Sequence, residues 1–231
     1  MAAIEGGELR VQVAAGIPWI LAGFARVVRE RSIPAAHYLA FLAAMRRDVS
    51  PRAFPDFPAV IEEYIYGSAI VVGYFLAHIY GSGRDATLAD ALDCARELGI
   101  ALQLTNFARD VEQDRARGRL YVPADVLARE GLTAEEALQP AHGEALRRTA
   151  RALAAEAEWR YEHARARLAA FHPESRVAIR ACIDVYQAVN RRLLEGRIRP
   201  GQRARLNAFQ KFQLLPAQKY WRVPLACARL L

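Results

Sequence analysis

The chain has 231 residues, of which 53% are hydrophobic and 25% charged, and its formal net charge is +7 at pH 7. Such length and apolar content exclude a disordered chain and leave room for a substantial core. All basic residues except Lys211 and Lys219 are arginines, which suits planar recognition of phosphate; no basic block is interleaved with aromatics, so nucleic acid is not an expected partner.

Ala and Arg dominate over Val, Ile and Thr, which favours helix over sheet. In chain order, apolar periodicity predicts helices over residues 6–30, with Pro18 kinking or dividing the first, then 34–48, 57–80, 85–117, 123–131, 133–139, 143–171, 173–196 and 205–215. Asp85 reads as the cap of the fourth, Asp90 and Asp93 as acids of its early turns, and Pro173 as the start of the eighth. For Asp48, beside Arg46 and Arg47, a helix-end cap or a surface ion pair is a better reading than contact with a phosphate. No strand-like alternation lasts, so the expected fold is all-α and a single domain.

Residues 1–20 lack the basic and apolar regions of a signal peptide. Tyr64 to Gly83 contains no formally charged residue, long enough to span a bilayer. Its tyrosines, Ser68, His78 and terminal Gly-Ser-Gly make a buried core helix the better reading. Cys94, Cys182 and Cys227 are scattered, with no CxxC and no HExxH. They predict free thiols in a reducing cytoplasm and no zinc.

The stretch LQLTNFARDVEQDRARGRLYVP, Leu102 to Pro123, interrupts an apolar helix with polar groups. A helix advances about 100° per residue, so Gly99, Gln103, Asn106, Asp110, Asp114 and Arg117 fall within a sector of about 80°. An ordinary solvated face would carry Glu, Lys and Arg. Here the early positions are uncharged amides, followed by two carboxylates four residues apart. Two such Asp repel each other unless a cation lies between them. Hard oxygen ligands of this kind suit Mg²⁺, which binds through one or two carboxylates together with substrate phosphates. Gly99 leaves space for another helix or a ligand to approach, and Arg117 and Arg119 stand at the mouth of the stripe.

The segment GIALQLTNFARDVEQDRARGRLYVPADVLAREGL resembles the squalene/phytoene synthase family, with its Gln-Leu-x-Asn run, Arg-Asp-x-x-x-Asp and Arg-Gly-Arg-x-Tyr-x-Pro. EEYIYGSAIVVGYFLAHIYG, FLAAMRRDV and VYQAVNRRLLEGRIRPGQRARLNAFQK extend the similarity over about residues 21–215. The YGSA stretch leans toward the phytoene synthase branch. The resemblance implies the helical bundle of isoprenoid synthases and head-to-head condensation of two prenyl diphosphates, first to a cyclopropyl diphosphate. The expected product is phytoene from geranylgeranyl diphosphate. It assigns Mg²⁺ or Mn²⁺ to Asn106, Asp110 and Asp114. Diphosphate and its surroundings fall to Gln103, Arg109, Arg117, Tyr186 and Arg203, while Tyr64 is placed beside the reacting carbons. Peripheral association with a membrane is expected as well.

Asp110–Asp114 is the sole Asp-x-x-x-Asp in the chain, whereas family enzymes carry a second such motif on an earlier helix. The chain is therefore expected to be N-terminally incomplete relative to the family. Other readings remain open: squalene or dehydrosqualene coupling of farnesyl diphosphate, with NADPH in the squalene case, or a non-catalytic relative acting as an assembly factor or scaffold.

Overall fold

Pro18 has no N–H to give to a helix already under way, and the first predicted helix is split there into α1 (Leu9–Ala14) and α2 (Trp19–Glu30). The turn between them passes through Gly16 at φ +84°. The computed structural model describes residues 9–49, 53–196, 203–218, 220–221 and 225. The predicted helix start at residue 6, and Cys227, lie outside the described residues. α3 (Ala35–Arg47) follows Pro34 and ends at Asp48.

α4 (Phe57–Tyr80) is capped by Asp56, whose carboxylate accepts from the Ala59 N–H at 2.8 Å. One feature of α4 is not visible as a sequence pattern: Ile61–Ile70 is π-helical, between α-helical ends. The wider turn shifts the register of the residues it contains, and π segments recur at functional sites. Here it contains Tyr64.

The N-cap of α5 (Leu88–Ala116) lies two residues later than predicted. Thr87, not Asp85, is the N-cap: its hydroxyl accepts from the Asp90 N–H, and Asp90 in turn accepts from the Thr87 N–H. This reciprocal pair satisfies two free donors at once, which a lone Asp85 three residues upstream of Leu88 does not. α5 stops at Gly118, φ +70°. The Arg119 N–H returns to the Asp114 carbonyl at 2.8 Å and the Gly118 N–H to Arg115 at 2.9 Å, a Schellman ending that folds the next residues back over the last turn.

Short helices α6 (Ala124–Arg129) and α7 (Ala134–Ala137) lead to α8 (Gly143–Ala166), α9 (Pro173–Leu194) and α10 (Ala208–Leu214), with 3₁₀ turns at Pro140–His142 and Leu168–Ala170. α8 ends five residues before its predicted limit of 171, and Pro173 opens α9 as expected. Among the described residues the only extended pairing is a single antiparallel bridge between Ser82 and Phe171.

α5 is the central helix, lying against α4, α8 and α9. Ile65, Ile70, Ile100, Leu104, Leu153 and Ile183 are fully or almost fully buried around it, each worth about 1.5–3 kcal/mol of burial. Small residues set the spacing. A Cβ on Gly99 would lie 3.1 Å from the Ile70 Cα, so the space this glycine leaves is taken by α4 rather than by a ligand. Three polar groups pair across the core: the buried Thr105 hydroxyl lies 2.9 Å from that of Tyr161 and 3.2 Å from Asn190 Oδ1, and Asn190 donates to the Ala154 carbonyl at 2.8 Å. α4 is long and apolar enough to cross a membrane by length and composition, yet Ile61, Tyr64, Ile65, Ile70, Val71 and Ala77 are buried within the bundle.

Candidate active site

The α5 stripe lies at the C-terminal end of this central helix. Gln103, Asn106, Asp110 and Asp114 are all half-buried, while Leu104, Thr105, Ala108 and Val111 on the other side are buried. Arg109 is off the stripe, but its guanidinium reaches round to both Asp110 oxygens at 2.9 and 2.8 Å. Arg203 reaches the same two oxygens at 2.5 and 2.6 Å from a position 93 residues away in the chain. Tyr186 on α9 lies close enough to Arg109 to favour its charged form. Four predicted residues, Arg109, Asp110, Tyr186 and Arg203, thus form one group.

The two aspartates have opposite electrostatics. Burial pushes the Asp110 carboxyl up, but the hydrogen bonds and charges of Arg109 and Arg203 outweigh it and hold it below the usual carboxylate range. Asp114 is pushed up by burial and by the charge of Asp110; Arg117 and Arg119 offset this only in part. The Schellman ending of α5 is what brings those two arginines to Asp114. Arg117 itself is exposed.

The Asn106 Oδ1 atom is buried with no hydrogen-bond partner. With Asp110 and Asp114 it makes an all-oxygen donor set that fits a hard divalent cation. Among the described residues no three or more His, Cys, Asp or Glu converge as a ready-made metal cage. A cation here would draw its other ligands from an amide, water or a substrate, and Arg203 would have to yield part of its hold on Asp110.

A second group lies beside the first. Tyr64, 6% exposed, donates its hydroxyl to Asp48 Oδ1 at 2.6 Å. Tyr121 donates to the same oxygen at 3.0 Å. Asp48 stands at the C-cap of α3, as expected of a helix-end residue, but its carboxylate is taken by two phenols and, among the described residues, not by the surface ion pair that its neighbours Arg46 and Arg47 suggested. The Arg47 guanidinium instead bonds the Glu63 carbonyl within the π segment, and Arg119 donates to the Asp48 carbonyl at 3.4 Å. These contacts turn the Asp48 carboxylate inward, toward α4. Tyr121 stacks on Phe107 with centroids 4.4 Å apart and planes at 8°, and Phe54 lies 6.2 Å from Tyr64. Asp48 and Tyr121 are the members of the site that residue-level reading missed. Tyr121 stands in the Arg-Gly-Arg-x-Tyr-x-Pro run and Asp48 in FLAAMRRDV; both stretches were usable signals, though neither says what the residue faces.

An all-helical bundle with acids and guanidinium groups gathered at one end of its central helix is the isoprenoid synthase architecture. A solved dehydrosqualene synthase, in complex with ligand, superposes with a TM-score of 0.70 at 23% identity, covering 94% of this chain and 76% of that one. The sequence matches the squalene/phytoene synthase family over residues 6–210, and the chain belongs to that family. The match begins upstream of the region near Leu21 where similarity was first legible. The 15-cis-phytoene synthase of Enterobacter agglomerans is 37% identical over 174 residues, 75% of this chain and 57% of that protein. That of Pantoea ananas is 38% identical over 168 residues, 73% of this chain and 53% of that protein. The chain thus spans a little over half the length of these relatives.

Proposed function

We propose that the chain carries out, or supplies the α5 half of the site for, head-to-head condensation of two prenyl diphosphates, with geranylgeranyl diphosphate going to phytoene. The observation that carries this reading is the convergence of Arg109, Asp110, Tyr186 and Arg203, from three separate parts of the chain, beside Asp114, Arg117 and Arg119. A scaffold has no use for a half-buried carboxylate whose ionised form is disfavoured. A diphosphate with its cation does.

In this reading Asn106, Asp110 and Asp114 hold a divalent metal, Mg²⁺ or Mn²⁺. When bound, it neutralises charge on the departing diphosphate. Arg117 and Arg119 meet the diphosphate at the mouth, Arg203 moves from Asp110 to a phosphate oxygen, and Gln103 donates from the same face. Arg109, held by Asp110 and Tyr186, keeps its orientation for a bidentate contact. On α4, Val72 and Leu76 stand one turn apart with partly exposed side chains and offer an apolar wall to the prenyl chain, while Tyr64 lies nearer the acids. Apolar walls of this type keep water from an allylic cation. The similarity to named phytoene synthases favours a C20 substrate over farnesyl diphosphate, and no reduced nicotinamide is needed for that product.

The chain is proposed to be one domain that family members extend at the N-terminus, and to act at a membrane surface, where its prenyl substrates reside. The test is turnover by the 231-residue chain with C15 and C20 prenyl diphosphates, Mg²⁺, and NADPH present or omitted. Phytoene formed from C20 without NADPH is expected. Absence of any hydrocarbon from folded protein, together with diphosphate affinity unchanged by Asp110→Asn, would sink the proposal.

A further inference from the structure

We propose that Asp48 is a positioning residue for Tyr64 and receives the proton that Tyr64 passes on when the cyclopropane ring closes, an inference that rests on the coupling reaction proposed above. The geometry is specific. One carboxylate oxygen, Asp48 Oδ1, accepts from Tyr64 at 2.6 Å and from Tyr121 at 3.0 Å. Each phenol has a single hydrogen, so both are committed to Asp48, and the lone pairs of Tyr64 Oη are left for a proton from another direction. Tyr121 is itself immobilised by its parallel stack on Phe107, and its oxygen lies 3.3 Å from that of Tyr64.

Tyr64 cannot serve as a base alone. Burial, and then the bond to Asp48 and the nearness of Tyr121, hold the phenol far above its ordinary pKa, so it carries its proton at neutral pH. A phenol in that state takes up a proton only if it releases its own in the same event. The C–H bond at the ring-closing carbon breaks and its electron pair becomes the third C–C bond of the cyclopropane. The proton goes to Tyr64 Oη, and the phenol's original proton moves along the 2.6 Å bond to Asp48 Oδ1. The carboxylate ends neutral and is later reset by water. No oxidant or reductant enters.

Three changes at this pair test the idea: Asp48→Asn keeps an oxygen acceptor but cannot take a proton, Asp48→Glu restores the acid, and Tyr64→Phe removes the relay. With geranylgeranyl diphosphate and Mg²⁺, D48N is expected to lower kcat about 100-fold with KM within about twofold. D48E is expected to recover at least about a tenth of the parental kcat, and the D48N/Y64F pair to be no slower than the worse single variant, because both act in one step. Helical circular dichroism and melting temperature are recorded for each protein. D48N turnover within about threefold of the parent, or losses that multiply in the double variant, would overturn the proposal. Should D48N not fold, Y64F and D48E decide it, a near-parental kcat in Y64F or an inactive, folded D48E overturning it. A parent chain with no turnover at all removes the coupling reaction and this inference together, whereas an active parent with an unaffected D48N removes this inference alone.

Discussion

Asp110 and Asp114, one helical turn apart, are predicted to respond to neutralisation in opposite ways. Asp110 has a folded pKa depressed by two guanidinium groups, so its ionised form stabilises the fold above the ordinary carboxylate pKa of about 4. That contribution is lost as pH falls through the depressed value. Asp114 has a raised pKa; its neutral form is the favoured one in the fold, and the cost of ionising it appears as pH rises through the raised value. At pH 7 without divalent metal, Asp110→Asn should therefore lower the melting temperature, by the equivalent of about 1–2 kcal/mol for lost charged hydrogen bonds. Asp114→Asn should raise it. Thermal melts of the two variants settle the matter, and a shift of the same sign in both would contradict this account. Added Mg²⁺ with inorganic diphosphate should stabilise the parent more than either variant. In terms of what residues reveal, the amide–acid–acid spacing on α5 was legible because it broke the usual composition of a solvated helix face. The partners of Asp48 were not, although it lies in the family-like stretch FLAAMRRDV, because an Asp between Arg47 and Val49 has many surface uses and only packing against α4 selects one.

At the level of elements, α3, α4 and α5 are held close enough for the Asp48–Tyr64 contact by glycine. A Cβ on Gly67 would meet the Ala40 carbonyl oxygen at 2.5 Å and the Ala44 Cβ at 2.7 Å. Neither neighbour can swing aside as a long side chain could. Gly67→Ala should thus push α3 off α4, costing about 1–3 kcal/mol, and should lower turnover by drawing Asp48 from Tyr64, although residue 67 touches neither. The check is a melt combined with kcat; a variant of parental stability and activity would show that α3 is not held this tightly. The helix boundaries illustrate the same dependence on context. Pro18 and Pro173 act locally through a missing N–H and were readable. The exchange of Asp85 for Thr87 as cap of α5 turned on a reciprocal bond with Asp90 that two competing acids in sequence do not resolve. No residue in Ile61–Ile70 announces the π segment of α4.

For the molecule as a whole, arginine supplies nearly all of the excess positive charge, and apolar side chains cluster on the outside of α2. Trp19 is 75% exposed and Ile20 63%, with Leu21 and Phe24 also open. This combination is suited to the surface of an anionic bilayer, where aromatic and aliphatic groups enter the interface and cations meet lipid phosphates. Co-sedimentation with vesicles containing anionic lipid is expected, weaker in neutral vesicles and at high salt, and weaker in a Trp19→Ser/Ile20→Ser variant. Binding insensitive to both lipid charge and those substitutions would exclude α2 as the contact. The bundle also depends on buried polar pairing, as in Thr105, Tyr161 and Asn190, where each hydroxyl or amide has its partner on another helix.

Taken alone, the sequence determined that the chain is helical, where prolines divide it, that α5 carries a polar stripe, and to which family it belongs. The first three follow from local periodicity, from proline geometry or from spacing within one helix, and the last from the resemblance of whole motifs to those of the family. Tertiary structure decided what those residues face. Arg203 reaches Asp110 across 93 positions of sequence, Asp48 turns inward between two phenols, and the space beside Gly99 is filled by α4. Contacts of this kind are set by how whole helices cross, which depends on all the side chains between them, and no single stretch of sequence contains that information.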